Sequence, residues 1–117
     1  MRWLRVGDDE DLRRDVTFDR PVRLKIHAMG EGGRRSMYDG GSITSLDTGQ
    51  VAWAMAWSNT EPAGGDDKNR SYHGTIELPA GEYRIGYSTD GSHAFGHWNA
   101  APPREPFRYG MLVRVVD

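Results

Sequence analysis

Apolar residues that recur at every second position, in short runs, constrain this chain more than any other feature. In the clearest run Val51, Trp53, Met55 and Trp57 take one side while Ala52, Ala54 and Ala56 take the other. That is the period of a β-strand, whose successive side chains point to opposite faces. The spacing predicts a central strand with a bulky face and a small face, and so bulky a row reads as core rather than as a surface that stacks on sugar rings. Val22, Leu24, Ile26 and Ala28 alternate with Arg23, Lys25 and His27, the pattern of a strand with one face in water. Tyr83, Ile85 and Tyr87 repeat it, as do Met111, Val113 and Val115.

Shorter candidates lie at Trp3 to Val6, Val16 to Phe18, Met37 to Leu46 and Thr75 to Leu78, which makes about seven to eight strands. Helical periodicity is nearly absent: Asp8 to Arg14 is too uniformly polar to bury a stripe and reads as a loop or a solvated turn. Asp47-Thr48-Gly49 and Pro79-Ala80-Gly81-Glu82 each separate two alternating runs and predict hairpins. Fifteen glycines and six prolines among 117 residues suit a loop-rich β domain of one core. The expected fold is one antiparallel β-sandwich over residues 1–117, of jelly-roll or immunoglobulin-like type. Three segments are too long for simple turns, Gly30 to Ser36, Thr60 to Arg70 and Ser88 to Pro106, and long ordered loops are where function concentrates.

Charge narrows the partners. Fifteen basic residues against seventeen acidic give a net charge of -2, so no field draws in nucleic acid or an anionic membrane. The absence of cysteine removes disulfides, thiol nucleophiles and thiolate metal sites. Met1 to Asp11 carries charges without an apolar run and is neither a signal peptide nor a spanning segment. The expectation is a cytoplasmic protein or a segment cut from a longer secreted chain, without membrane insertion.

The richest stretch chemically runs from Ser88 to Pro103, where Asp90, His93, Phe95, Trp98 and Asn99 stand among glycines and prolines. With Asp39, these residues are the candidate ligand site: aromatic faces stack while the acid and amide groups orient a ligand. The competing reading is an Ω-like loop folded on itself, with its aromatics plugging the end of the domain. His93 and His97 have the spacing of zinc ligands on a helix, but Gly91, Gly96 and Pro102 argue against a helix, so they are weak metal candidates. Gly64 to Asn69 offers oxygens for calcium without the EF-hand ladder of acids, and solvated charge explains Asp66-Asp67 and Asp8 to Asp11 better. No serine lies in a nucleophile elbow, and Gly30-Glu31-Gly32-Gly33 lacks the lysine and helix of a phosphate loop, so it reads as a flexible hairpin tip.

Several of these segments together carry a resemblance. Ala28-Met29-Gly30-Glu31-Gly32, Met37-Tyr38-Asp39, Asp47-Thr48-Gly49, Ala63-Gly64-Gly65, Lys68-Asn69-Arg70, Leu78 to Tyr83, and above all Ser92-His93 through Trp98-Asn99-Ala100-Ala101-Pro102-Pro103 resemble a domain that recurs, sometimes in tandem, in extracytoplasmic multidomain bacterial proteins. The resemblance spans nearly the whole chain and implies a secreted or periplasmic module. The chain departs from that pattern where aromatics are expected near Gly40 and Ser42, and where Ala54 and His97 replace expected acids.

The sequence therefore predicts a non-catalytic binding or interaction module for a protein or glycan ligand, needing no cofactor. The alternatives are a metal-binding domain or small metal-dependent enzyme, using calcium or zinc, and a structural spacer or self-assembling subunit whose edge strands pair with other copies.

Overall fold

The computed structural model describes residues 1–116 and is all-β: nine antiparallel strands and two short 3₁₀ turns. The strands are β1 (Arg2–Trp3), β2 (Asp11–Phe18), β3 (Val22–Gly32), β4 (Met37–Ser45), β5 (Val51–Ala54), β6 (Glu61–Pro62), β7 (Asn69–Leu78), β8 (Gly81–Ser88) and β9 (Gly110–Val116). They form one sheet curled as a half-barrel, ordered β1-β9-β3-β4-β8-β2, with β7 and β6 beyond β3 and β5 on the edge of β4.

Strand β3 joins the two halves. Along most of its length it lies between β9 and β7, but at its end the pairing with β9 stops at Met29–Gly110 and β4 takes over at Glu31–Asp39. Gly30 permits this approach, because a Cβ there would collide with the Asp39 carbonyl. The inward row Leu24, Ile26 and Ala28 then meets Ile43, Tyr83, Ile85, Tyr87, Met111 and Val113 in the core. Outward alternation of Arg23, Lys25 and His27 holds as the sequence predicts.

Tertiary packing changes several expected elements. Gly30 to Gly32 is no hairpin tip: it continues β3, buried, with Gly30 and Glu31 paired to β7 and Gly32 to Met37 of β4, so the turn shrinks to Gly33–Ser36. Asp11 to Arg14 is no loop but the start of β2, which needs to turn only Leu12, Val16 and Phe18 inward because it is an edge strand. Asn69 to Gly74 extends β7 beyond the expected Thr75–Leu78, while the expected strand at Trp3 to Val6 reduces to Arg2–Trp3. The turn at Asp47-Thr48-Gly49 does close the β4–β5 hairpin, with Gly49 at φ +77°. Pro79 to Glu82, by contrast, closes no hairpin: β7 pairs with β3 and β6 while β8 pairs with β4 and β2, so this turn carries the chain from one half of the sheet to the other.

The Val51–Trp57 row is also shorter than its alternation suggests, and lies at an edge. Trp53 and Met55 are core residues, but Val51 is exposed and Trp57 enters a 3₁₀ turn. Asn59 causes that turn: its Oδ1 accepts from the Ala56 amide at 2.8 Å and its Nδ2 donates to the Ala54 carbonyl at 2.9 Å. Trp57 then lies beneath the guanidinium of Arg70, 3.7 Å from the ring centre, and Arg70 donates to Thr60 through Nε and Nη2 at 3.0 and 2.6 Å.

The register makes an unequal prediction for two aliphatic positions. Ile26→Ala, at a site 1% exposed, is expected to cost about 2–5 kcal/mol. Val115→Ala, at a site 54% exposed, is expected to stay within about 0.5 kcal/mol, both read by urea denaturation.

Candidate functional site

The three long segments converge at one end of the sheet. Gly32 donates its amide to the Lys68 carbonyl at 2.9 Å, Asp66 donates to Ala101 at 3.1 Å, and Arg104 donates to Ala63 at 2.9 Å. Close approach needs glycine once more: Gly65, at φ +69°, lies directly against the Pro102 carbonyl.

At the centre stands Asp39, fully buried on β4. The Asp90 amide donates to its Oδ1 at 2.7 Å, and the Tyr109 hydroxyl donates to Oδ2 while lying 3.1 Å from the His93 carbonyl. Burial pushes the Asp39 carboxyl up to about 7, against the pull of those two donors, with Asp90 and Glu31 adding like charge. A protonated Asp39 can donate to the Tyr109 oxygen, which frees the Tyr109 hydrogen for the His93 carbonyl, so both protonation states are satisfied. Burial raises the Tyr109 hydroxyl far above the ordinary phenol value, and it remains a donor.

His93 is buried beside this pair. Asn69 donates through Nδ2 to the carbonyls of Gly64 and Ala101, at 2.9 and 2.8 Å, which aims its Oδ1 at His93 Nε2, 2.6 Å away. The imidazole therefore carries its proton on Nε2. Its Nδ1 lies 2.9 Å from Asn99 Oδ1, the oxygen that accepts from Lys68 Nζ at 2.6 Å. Burial first, and then the Lys68 ammonium, lower its basicity. Trp98 packs edge-on against both His93 and Tyr109, while Phe95 and Trp98 cover a small cluster of Met29, Ala94 and Tyr109.

Asp39, Asp90, His93, Phe95, Trp98 and Asn99 are thus brought together, but largely upon one another. The loop folds inward, and Asp39 and His93 have no solvent-exposed surface. His93 and His97 do not converge on a common point: His97 is solvent-facing and bonds Asp8 Oδ2 at 2.5 Å. In place of a helix, a turn at Phe95-Gly96 separates the imidazoles, closed by the Ala94–His97 bridge with Gly96 at φ +85°. Among the described residues the group whose ligand atoms do converge contains no histidine and consists of Glu31, Asp39 and Asp90. Tyr109 is a member of this end that residue type and spacing did not single out, while Glu31 and Asn69, named only within segments, acquire their roles through strand pairing and loop return.

An open surface lies elsewhere, on the outer face of β9, β3 and β7. A depression of about 480 Å³ is lined by Met1, Lys25, His27, His73, Arg108 and Arg114 among others. A second, of about 370 Å³, shares His27, His73 and Arg108 and extends towards Glu61 and Arg104. His27 and His73 are direct cross-strand partners with ring centres 4.1 Å apart. Among the described residues Lys25, Arg104 and Arg114 make no ion pair, whereas Arg108 is held by Glu105 at 2.8 Å. His27 Nδ1 is buried without a hydrogen-bond partner.

Compared with protein-family models, with curated proteins and with solved structures, the chain matches none. Among the described residues no helix is long and apolar enough to cross a membrane.

Two stability measurements check this geometry. Asn69→Ala strips partners from two carbonyls and from His93 Nε2, and is expected to lower unfolding free energy by about 3 kcal/mol in urea. His27 is pushed from 6.5 down to about 4 by burial, with His73 and Arg108 acting in the same direction and Glu105 against them. Its folded pKa is the lower one, so the unfolded chain takes up the proton first and stability falls as pH drops from about 6.5 towards 4. His27→Gln is expected to flatten that part of the stability profile.

Proposed function

We propose that this chain is a non-catalytic binding module that receives an anionic, hydroxyl-bearing ligand, such as an acidic glycan, in the groove over His27 and His73. The observation that carries the reading is the combination along one groove of Lys25 and Arg114, which make no ion pair among the described residues, the Arg108 guanidinium, and His27, whose Nδ1 is buried without a hydrogen-bond partner. Arginine forks match carboxylate oxygens, and a buried nitrogen without a partner is completed by a ligand hydroxyl, which both donates and accepts. A neutral His27 leaves the ligand's charge to Lys25 and Arg114. Nucleic acid is a poorer fit, because the groove contains no Phe, Tyr or Trp on which bases stack and the chain as a whole is acidic.

The absence of catalysis is supported by how the reactive groups are spent. The Ser92 hydroxyl lies 3.2 Å from Asp90 Oδ1, not beside an imidazole, and both His93 nitrogens face amide oxygens. We read the curled sheet as a β-sandwich, a reading supported by the β7–β8 turn that passes between its halves. The resemblance at Ser92 to Pro103 supports a place in a larger extracytoplasmic bacterial protein.

A panel of neutral and acidic oligosaccharides, measured by calorimetry, tests the proposal. Acidic members are expected to bind with an affinity that weakens as salt rises. Arg114→Ala and His27→Gln are each expected to weaken binding about tenfold or more, while the melting temperature of Arg114→Ala stays unchanged. Equal binding of neutral and acidic members, or binding unaffected by both substitutions, removes the groove from the function.

A further inference from the structure

The acidic end of the sheet is electrostatically incomplete. Glu31 and Asp39 face each other across the β3–β4 pair, and Asp90 is fixed beside them by its amide on Asp39. One carboxylate oxygen from each lies within 4.8 Å of the other two. Glu31 is 3% exposed and Asp39 is fully buried, so water does little to separate their charges. Among the described residues one ammonium serves the three: Lys68 Nζ lies 2.9 Å from Glu31 Oε2 and is shared with Asn99. Glu31 Oε1 is left buried with no partner. A carboxylate oxygen in that position is expected to face a donor or a cation.

From these observations we propose that Glu31, Asp39 and Asp90 form a divalent-cation site, and that calcium is the ion it takes. The donors are all hard carboxylate oxygens, a set that suits calcium or magnesium and not zinc, which favours nitrogen and sulfur. Calcium accepts oxygens at about 2.3–2.6 Å, so ligands on opposite sides of it stand about 4.6–5.2 Å apart; around magnesium the same span is about 4.0–4.2 Å. The three carboxylate oxygens lie within 4.8 Å of one another, inside the span of a calcium shell, whereas magnesium gives up its waters reluctantly and is usually held by only one or two protein carboxylates. Each Asp39 oxygen already accepts one hydrogen bond and keeps a second lone pair for the metal. The ion would pin β3, β4 and the loop after β8 together, with water filling its remaining positions. The site is independent of the basic groove, whose lining it does not share.

The test uses untagged protein stripped with a chelator, titrated with calcium, magnesium and zinc chlorides by calorimetry and followed by thermal melting. One saturable calcium site per chain is expected, tighter than magnesium or zinc, with a melting temperature that climbs as calcium rises above Kd. Asp90→Asn is the deciding variant, because Glu31→Gln also loosens Lys68 and can impair folding. Asp90→Asn is expected to weaken calcium at least about tenfold, the loss that even an outer-sphere change produces, while its metal-free melting temperature stays close to that of the parent. No heat and no melting shift up to about 10 mM calcium, beyond the weakest extracellular sites, overturns the proposal. So does calcium binding that Asp90→Asn leaves unchanged, which would place the ion at another acidic segment such as Asp66–Asp67. Zinc or magnesium binding as tightly as calcium overturns the assignment of the ion.

Discussion

Asp39 receives the Asp90 amide on one oxygen and the Tyr109 hydroxyl on the other, with no water-exposed surface of its own. Through those two bonds β4 is tied to the loop after β8 and to the residue that precedes β9. The same position pairs with Glu31 at the point where β3 passes from β9 to β4. The curl of the sheet and the closure of its loop end thus meet at one buried carboxyl group. A buried carboxyl is costly unless it is hydrogen-bonded, and here each oxygen has a partner that serves both of its protonation states.

Around it the end of the domain is closed by polar groups rather than by a continuous apolar plug. Asn69 gives both amide hydrogens to loop carbonyls and its oxygen to His93, and Lys68 bridges Glu31 to Asn99. Such bonds are directional, so they hold long loops in a single arrangement where apolar contact alone would tolerate several. The apolar residues of the same loop, Phe95 and Trp98, cover Met29, Ala94 and Tyr109 and keep water from the network. The loop that looks most like a ligand platform is therefore occupied with its own architecture. Its unspent chemistry lies on the acidic side, while the open concave surface belongs to the strands.

Much of the strand content is legible in residue order because a half-exposed strand leaves a period-two record. Leu24, Ile26 and Ala28 inward against Arg23, Lys25 and His27 outward follow directly from it. The record fails where its premise fails. Asp11 to Arg14 is a strand at an edge, where few side chains need burial, and Gly30 to Gly32 is a strand whose glycines carry no side chain to alternate. Val51 to Trp57 errs in the opposite sense, since its alternation continues past Ala54 while the Asn59 side chain captures the backbone and turns it. Convergence of the three long segments is visible only in part: glycine, proline and polar residues mark them as ordered loops, but nothing local says which amide meets which carbonyl.

What the sequence alone determined is the all-β class, the inward face of β3 and β8 and, at Met111 and Val113 but not the exposed Val115, of β9, and the concentration of polar groups in three loops. These depend on side-chain period and turn chemistry, which act over a few residues. Only the tertiary structure decided that Pro79 to Glu82 crosses between halves of the sheet, that His27 lies against His73, and that Glu31, Asp39 and Asp90 share one corner. Most of these join residues tens of positions apart, and a one-residue change of register would send the same side chains to opposite faces. Pairing between distant strands, which no local pattern encodes, is what turns ordinary loop and strand residues into a groove and an acidic site.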